Sequence, residues 1–480
     1  MSSSPSPALM SIPNSPSALS IGDNAPVVCT ADDLCREDQL DELTRSNAAH
    51  NARLPVARLP DDVLQTIFEI NSQRIPVMHS ALGTPRGMPY QMQVSHVCRH
   101  WRRLALQTAT LWAKFAVDSP NRLRSIEHLI LKRTKGTLLD ILIWDLHRFL
   151  VRPGPPYHFR DRASKLTPEL ALFMEKYLPQ ISALSINGCD DSVNSLFMGQ
   201  HTSAQALVTL RLTWRFCPNV PDRSLLSENP YTLVTPNLHS IQLNSFTLPK
   251  FSPCSRMPTT VRAIRYVETH RFTMTHLFQE LACLTEVKAL DYVLHCFGQS
   301  TTPWPAQKHQ LPRLSTCQLE CPRHPECLAR FVQLLSLPNL RWLSLPNFGV
   351  DISGDSLLAI LQCVPMLAHL SIHTLRRTIL AMLHRLVLNA DNVQMTLLPR
   401  LKTLDLMIMS QSSSANLREA IERLARARCH PQAGVTPLEK LSIYPSFKDN
   451  IVENLESLGL TVRTLPNGPF TRFPALECTL

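Results

Sequence analysis

Glycine is scarce in this sequence, with 13 residues among 480. The spacings Gly-x-x-x-x-Gly-Lys and Gly-x-Gly-x-x-Gly, whose loops cradle phosphates with backbone N–H groups, do not occur, and nucleotide binding by those routes is excluded. Gly-x-Ser-x-Gly, His-Glu-x-x-His and paired-carboxylate constellations are missing too, and the 18 histidines are dispersed, so the expectation is a chain without catalytic residues or cofactors. No apolar run approaches the roughly 18 residues of a membrane span, and none near the start is long enough for a signal sequence. The 14 cysteines lack a regular framework spacing. They read as thiols of a reducing compartment, which places the protein in cytoplasm or nucleus. Acidic residues are outnumbered, 38 against 48 basic, for a formal charge of +10. An excess this modest is what a solvated surface carries, with an acidic partner as the alternative.

What is present begins with a Ser/Pro-rich leader, residues 1–57, that reads as disordered. Ser4, Ser6 and Ser15 each precede a proline and are candidate sites for proline-directed kinases. Residues 58–115 then carry two apolar-periodic runs. The first is Leu59-Pro60-Asp61-Asp62-Val63-Leu64-Gln65-Thr66-Ile67-Phe68-Glu69-Ile70. Pro60 suits a first helical turn, the two aspartates complement the positive end of the macrodipole, and Val63, Leu64, Ile67 and Phe68 form one apolar face. The second run predicts another helix, with Val94, Val97, Cys98, Trp101, Leu104 and Ala105 on one stripe and Arg99, Arg102 and Arg103 off it. Leu111-Trp112 closes the segment, and residues 71–91 form a breaker-rich loop between the runs.

This ordered set, Leu-Pro-x-Asp-Val-Leu-x-x-Ile-Phe, then Val-Cys-Arg-x-Trp-Arg-x-Leu-Ala, then Leu-Trp, resembles the F-box. The inserted loop is similar to those of the fungal F-box families. The resemblance covers about a tenth of the chain. It implies docking on the Skp adaptor of a cullin-RING ubiquitin ligase, with Leu59, Pro60, Leu64, Ile67, Phe68, Val97, Cys98, Trp101, Leu104 and Trp112 as adaptor-binding residues.

Residues 116–178 read as a connecting segment, with a helix over Asn121 to Lys135 and a buried strand over Leu138 to Trp144. From Pro179 one pattern recurs to residue 460: apolar residues at the first, fourth and sixth places, often with a proline two positions ahead. Leu340-x-x-Leu343-x-Leu345, Leu367-x-x-Leu370-x-Ile372 and Leu401-x-x-Leu404-x-Leu406 are the strongest; Val261-x-x-Ile264-x-Tyr266 and Val287-x-x-Leu290-x-Tyr292 are weaker. The intervals cluster near 26 residues. Helical spacing fills the intervening segments Asp355 to Cys363, Cys327 to Leu335, His276 to Leu284 and Asn416 to Ala427, and proline ahead of each strand is expected to stop the helix. The period and ladder resemble the leucine-rich repeat, which implies a strand and a helix per unit. An Asn or Cys three residues past the ladder appears only as Cys189, whereas Phe348, Leu375 and Met409 stand at that place elsewhere. The expected fold is therefore α/β, a small helical F-box followed by an irregular leucine-rich-repeat solenoid, with residues 461–480 as a tail.

Cys317, Cys321, His324 and Cys327 fall within eleven residues and could form a tetrahedral zinc set. Cys317 occupies a ladder position, however, and buried thiols without metal are the expectation. Two functional readings stand. In the first, the F-box binds the adaptor, and through it a cullin, while the repeats hold a target protein. In the second, the solenoid is a scaffold or nucleic-acid-associated binder with a non-degradative F-box. Alternation along a strand turns the third and fifth positions away from the ladder. These are Thr209 and Arg211, Ser240 and Gln242, Trp342 and Ser344, His369 and Ser371, Thr403 and Asp405, Lys440 and Ser442. Arg211, Gln242, Trp342, His369, Asp405 and Lys440 are the candidate target-binding residues, with Trp342 as the aromatic anchor.

Overall fold

The computed structural model describes residues 39–73 except 40, 44, 48 and 52, then 90–144, 146, 150–151, 165–188, 193, 196, 202–214, 233–244, 260–267, 278, 281, 286–293, 304, 306–321, 325–346, 352–374, 376–388, 397–408, 415–429, 435–443 and 450–464. Residues 1–38 of the Ser/Pro leader, most of the loop expected over 71–91, most of the helix expected from His276, and Cys189, His324, Phe348, Leu375 and Met409 lie outside these residues. The chain divides into two compact units, 1–66 and 67–480, each described by itself.

In the first unit a single 3-10 turn, Pro55–Arg58, leads through Leu59 and Pro60 into helix α1 (Asp61–Gln73). The Pro60 carbonyl accepts the first helical hydrogen bond, from the Leu64 N–H at 3.0 Å, so the proline stands just ahead of the helix rather than in its first turn. Asp61 and Asp62 occupy that turn, as the macrodipole favours.

The second unit continues α1 and adds α2 (Tyr90–Ser95), α3 (Arg99–Gln107) and α4 (Ala109–Trp112). The sequence pattern predicts one helix through Val94 to Ala105, and the structure breaks it at Val97 and Cys98. Cys98 is extended, with φ −155 and ψ 171, and its sulfur accepts the Trp101 N–H at 3.5 Å, so it caps α3 instead of lying within a helix. Next come β1 (Lys114–Val117), α5 (Pro120–Ile126), β2 (Leu139–Ile143), α6 (Pro168–Tyr177) and β3 (Ile181–Gly188). Strands β4 (Thr209–Trp214), β5 (Ser240–Asn244), β6 (Ala263–Val267), β7 (Ala289–Val293) and β8 (Thr316–Glu320) follow. The rest is α7 (Pro325–Gln333), β9 (Trp342–Leu345), α8 (Gly354–Gln362), β10 (His369–Thr374), α9 (Arg376–Leu388), β11 (Thr403–Ile408), α10 (Ala415–Cys429), β12 (Lys440–Ile443), α11 (Asn450–Glu456) and β13 (Thr461–Thr464).

Among the described residues these thirteen strands join one sheet in chain order, each parallel to its predecessor, and six two-residue strands pair outside it. This is the solenoid-like α/β arrangement that the 26-residue ladder predicts, and it runs past both expected ends: β1 and β2 lie ahead of residue 179, and β13 follows residue 460. Those strands carry few leucines: Trp112-x-x-Phe115-x-Val117 and Leu138-x-x-Ile141-x-Ile143 keep apolar residues at the first, fourth and sixth places, and β13 keeps only Val462.

The ladder residues are the core. Leu340, Leu343, Leu345, Leu367, Leu370, Ile372, Leu401, Leu404 and Leu406 are all buried. Sixth-position rings mark the side on which they lie. Tyr266 stacks on Tyr292 at 5.1 Å, and Tyr292 stacks on Phe331 of α7 at 5.6 Å, so this side of the sheet faces the helices. Helices α7 to α10 pack each against the next.

Proline acts differently from the expectation. It builds the turn that starts a strand, rather than ending the helix before it. In Leu337-Pro338-Asn339-Leu340 the Leu340 N–H donates to the Leu337 carbonyl at 3.3 Å, and the same bond closes Val364 to Leu367 and Leu398 to Leu401. These are β-turns with proline at the second position, where its fixed φ costs nothing. Asn339 then donates to the Pro312 carbonyl of the preceding turn, and Asn237 likewise to that of Gln205, which knits the turns together. Arg428 on α10 secures another of them. It is 2% exposed, and its guanidinium donates to the carbonyls of Leu397 (2.8 Å) and Leu398 (3.2 Å), where Leu398 takes the left-handed φ of +53.

Gly354 opens α8 where α9 crosses it, and a Cβ added there would stand 2.7 Å from the Ala381 Cβ. Neither backbone can yield cheaply. Gly354→Ala is expected to lower stability by about 1–2 kcal/mol, the strain of overpacking exceeding the gain in helix propensity. Midpoints of thermal and urea unfolding measure it; an unchanged or raised midpoint would show that the two helices separate freely.

Candidate functional site

Two surfaces emerge from this framework. On α1 the apolar residues divide between a buried and a more open side rather than forming the one face expected. Leu64, Phe68 and Ser72 recur at four-residue spacing and are buried, whereas Val63, Ile67 and Ile70 recur at four and three and are wholly or partly open. Val63 is 38% exposed and Ile70 49%; Val97, on the turn after α2, is 58% exposed.

The second unit supplies the support beneath Ile67, Ile70 and Val97. Phe68 meets the Trp101 ring at 5.0 Å with planes inclined by 59°. Trp112 is fully buried and donates its indole N–H to the Ala105 carbonyl at 2.6 Å, and the Arg133 guanidinium lies 4.4 Å from its ring centroid. Thr108 bonds back to the Leu104 carbonyl, Thr110 donates to Glu69, and the Arg102 Nε donates to the Ser95 carbonyl at 2.9 Å across the break between α2 and α3. Burying the Trp112 indole and the Phe68 ring in so small a helical cluster makes it well packed, and that packing lets it hold apolar residues in water.

Of the ten residues expected to meet an adaptor, Leu64, Phe68, Leu104 and Trp112 are buried in the chain's own core. They set the shape of the surface and do not form it. Cys98 caps α3 and is half-buried. Leu59, Pro60, Ile67, Val97 and Trp101 keep accessible surface. Burial is the signal that the motif alone does not contain, since core and surface positions of a short helix are both apolar here.

The second surface is the face of the sheet turned away from the helices. Register sets its residues in rows. One row reads Thr316, Trp342, His369, Thr403, Lys440 and Thr461. The next reads Arg211, Gln242, Arg265, Asp291, Gln318, Ser344, Ser371, Asp405, Ser442 and Arg463. All six candidate target-binding residues therefore lie on one face, in two adjacent rows. Trp342 and His369 stack at 5.4 Å with 27° between planes, and His369 Nε2 lies 2.9 Å from the Asp405 carboxylate. Trp342 also packs against Ala263 and Ala289. It is half-buried, an anchor to its neighbours as well as an outward aromatic.

Five of the twelve outward positions, Thr209, Ser240, Ser344, Ser371 and Ser442, are nevertheless buried. Facing outward did not expose them: Ser344, Ser371 and Ser442 stand about 4.8 Å from the larger Gln318, Asp405 and Arg463 of their row, whereas Thr209 and Ser240 have only small neighbours, Ala183 and Ala263, beside them. Arg265 and Asp291 escaped the sequence argument because their repeats are the weaker ones, although the same offsets from Val261 and Val287 locate them. They form an ion pair at 3.2 Å with Asp291 nearly inaccessible. Burial, with Asp291 beside it, pushes the Cys317 thiol far above its usual range. Cys317 thus remains protonated and inert. Among the described residues no group of three or more His, Cys, Asp or Glu could hold a metal ion, and no helix is long and apolar enough to cross a membrane.

Residues 56–118 match the F-box-like family and form an F-box-like domain. No curated protein is matched by the sequence. Among solved structures, the chain is similar to a protein of Bacteroides fragilis at 13% identity and TM-score 0.28, with 47% of this chain and 65% of that one covered. It thus spans just under two thirds of that protein. It is similar also to the crystal structure of the Rad7 and Elc1 complex in yeast, at 12% identity and TM-score 0.33, over 91% of this chain and 98% of that one. Both likenesses are too loose to bear on function.

Asp405 provides a pH test of the second surface. Burial alone would raise its pKa, but the His369 imidazole bonded to it, the nearby Ser442 hydroxyl and the charges of His369 and Lys440 outweigh it and hold the carboxyl below its ordinary value. A depressed acid contributes stability that is present above the unfolded pKa, about 3.9, and is lost as pH falls through the folded one. Asp405→Asn is expected to cost about 1 kcal/mol at neutral pH, and the gap to the native chain should close below about pH 4. A gap that persists at acid pH would remove charge from the account.

Proposed function

We propose that this protein is the substrate-recognition subunit of a Skp-cullin-F-box ubiquitin ligase. The F-box-like domain docks on a Skp-type adaptor and through it on a cullin, while the face of the sheet formed by the third and fifth rows takes a target protein. The observation that carries the reading is the set of apolar residues Ile67, Ile70 and Val97, partly or wholly open to water within the F-box-like domain. Apolar side chains left in water beside a well-packed core are what a partner surface requires.

The chain itself is non-catalytic in this reading. It works by tethering: a target held beside a charged ubiquitin-conjugating enzyme sees that enzyme at high effective concentration, and no residue of this chain touches the bond being made. A cytoplasmic or nuclear location follows from that partnership.

The alternative, a nucleic-acid-associated scaffold, would call for one continuous sign of charge over the target face. The third and fifth rows mix signs and pair them. Lys114 lies 4.0 Å from Asp140, Arg265 pairs with Asp291 and His369 with Asp405. Protein recognition is favoured.

Changing Leu59 and Pro60 together to alanine should abolish co-purification with the adaptor at unchanged protein level, since Pro60 is exposed and Leu59 only partly covered. Val97→Asp should do the same with little effect on unfolding midpoint, because exposed substitutions usually stay within about 0.5 kcal/mol. Adaptor recovery equal to that of the native chain, with both variants folded, would sink the assignment.

A further inference from the structure

The second position of each repeat, just ahead of the strand, forms a row of its own. Its backbone groups bond in sequence: the Arg262 N–H donates to His239, Lys288 to Arg262, Ser315 to Lys288, Arg341 to Ser315, Ala368 to Arg341, Lys402 to Ala368 and Glu439 to Lys402. Side chains follow the same line, for Lys402 and Glu439 of adjacent repeats meet at 2.7 Å. Arg262, Lys288, Arg341 and Lys402 are exposed, and Arg400 and Arg313 stand exposed in the turns behind them. Two acids belong to this edge, and both are already neutralised: Glu439 by Lys402, and Glu286 by Arg313 at 2.5 Å. Among the described residues Arg262, Lys288, Arg341 and Arg400 face no carboxylate at ion-pair distance.

The sheet thus carries two different margins. The third and fifth rows are mixed and self-paired, whereas the leading edge is a positive stripe spaced by the strands themselves. From Arg262 to Lys402 the stripe spans five strand steps, roughly 24 Å, the length of about seven extended residues. Rigid spacing matters because the cations are held apart by the ladder and not by their own repulsion, so an incoming anion meets them preorganised.

We infer that this edge binds an acidic, extended segment of the target protein, laid across the strands from Arg262 to Lys402. The inference rests on the proposed receptor role and deepens it by giving the chemistry of the target. Nucleic acid fits the edge less well. The row offers no aromatic platform for bases, and the nearby Trp342 is already engaged by His369, Ala263 and Ala289.

The test uses the purified full-length chain and a fluorescent peptide of alternating glutamate and serine, long enough to cover about 24 Å. Controls are the same peptide with glutamine in place of glutamate, and single-stranded and duplex DNA of mixed sequence. Lys288→Glu with Arg341→Glu reverses the edge. Arg377→Glu with Arg385→Glu makes the same charge change on exposed residues of α9. The expected result is binding of the acidic peptide that weakens as salt rises from about 50 to about 200 mM, a loss of at least about 10-fold in the edge variant, and a change under about 2-fold in the α9 variant. Equal losses in both variants, or no binding by the native chain, would overturn the inference, as would DNA binding tighter than peptide binding and lost in the edge variant. Adaptor co-purification, followed in parallel, keeps the two ideas apart. Its absence from the native chain would sink the receptor role, whereas peptide binding alone judges the edge.

Discussion

Backbone hydrogen bonds between each strand and its predecessor place residues of like position about 4.8 Å apart, and every surface described above inherits that spacing. A single repeat could not bury its ladder. Leu343 needs Leu370 beside it and Cys317 on its other flank, and both are supplied by register. The same register that assembles the core also assembles the faces, so the core and the recognition surfaces are consequences of one constraint. Stability in such an array is approximately a sum over repeats and their contacts. The Arg428 clamp on Leu397 and Leu398 and the close approach of Gly354 to α9 are examples of those contacts.

The F-box-like domain follows other rules. Its helices are short, and much of its packing comes from a few large groups, Phe68 on Trp101 and Trp112 closed by Arg133. Those rings fill the interior and leave the aliphatic residues of α1 and the turn after α2 for the outside. The division of labour between aromatic and aliphatic side chains is the physical content of the motif. It explains why a partner surface can be altered at Val97 without touching the residues that keep the helices together.

Much of this was legible in the sequence, and what was not had identifiable causes. Strand positions followed from Leu-x-x-Leu-x-Leu because period-2 burial in a parallel sheet leaves little choice of register. The ends of the sheet did not, since β1 and β13 alternate without leucine. Proline marked every strong repeat, yet its role as a turn former at Pro338, Pro365 and Pro399 needed the Leu340, Leu367 and Leu401 bonds to be seen. Direction of a side chain was predictable, and exposure was not: Ser344 and Ser371 point outward and are covered, while Trp342 is partly sunk over Ala263 and Ala289. In the F-box-like segment the motif named the right elements and could not separate Leu64, Phe68, Leu104 and Trp112, which hold, from Ile67 and Val97, which face water. The basic edge went unnoticed because its residues stand at second positions, which the ladder pattern treats as blanks.

Register also governs how such a surface can change over generations. Because each strand contributes one side chain to each row, a substitution at Arg341 or Ser315 alters the surface at one step and leaves its neighbours in place. An insertion between strands lengthens a connection without moving any row. The turn bonds and ladder leucines can therefore stay constant while outward positions are rewritten one at a time. A lineage could retarget such a protein by small, reversible moves, none of which requires the fold to be discovered again.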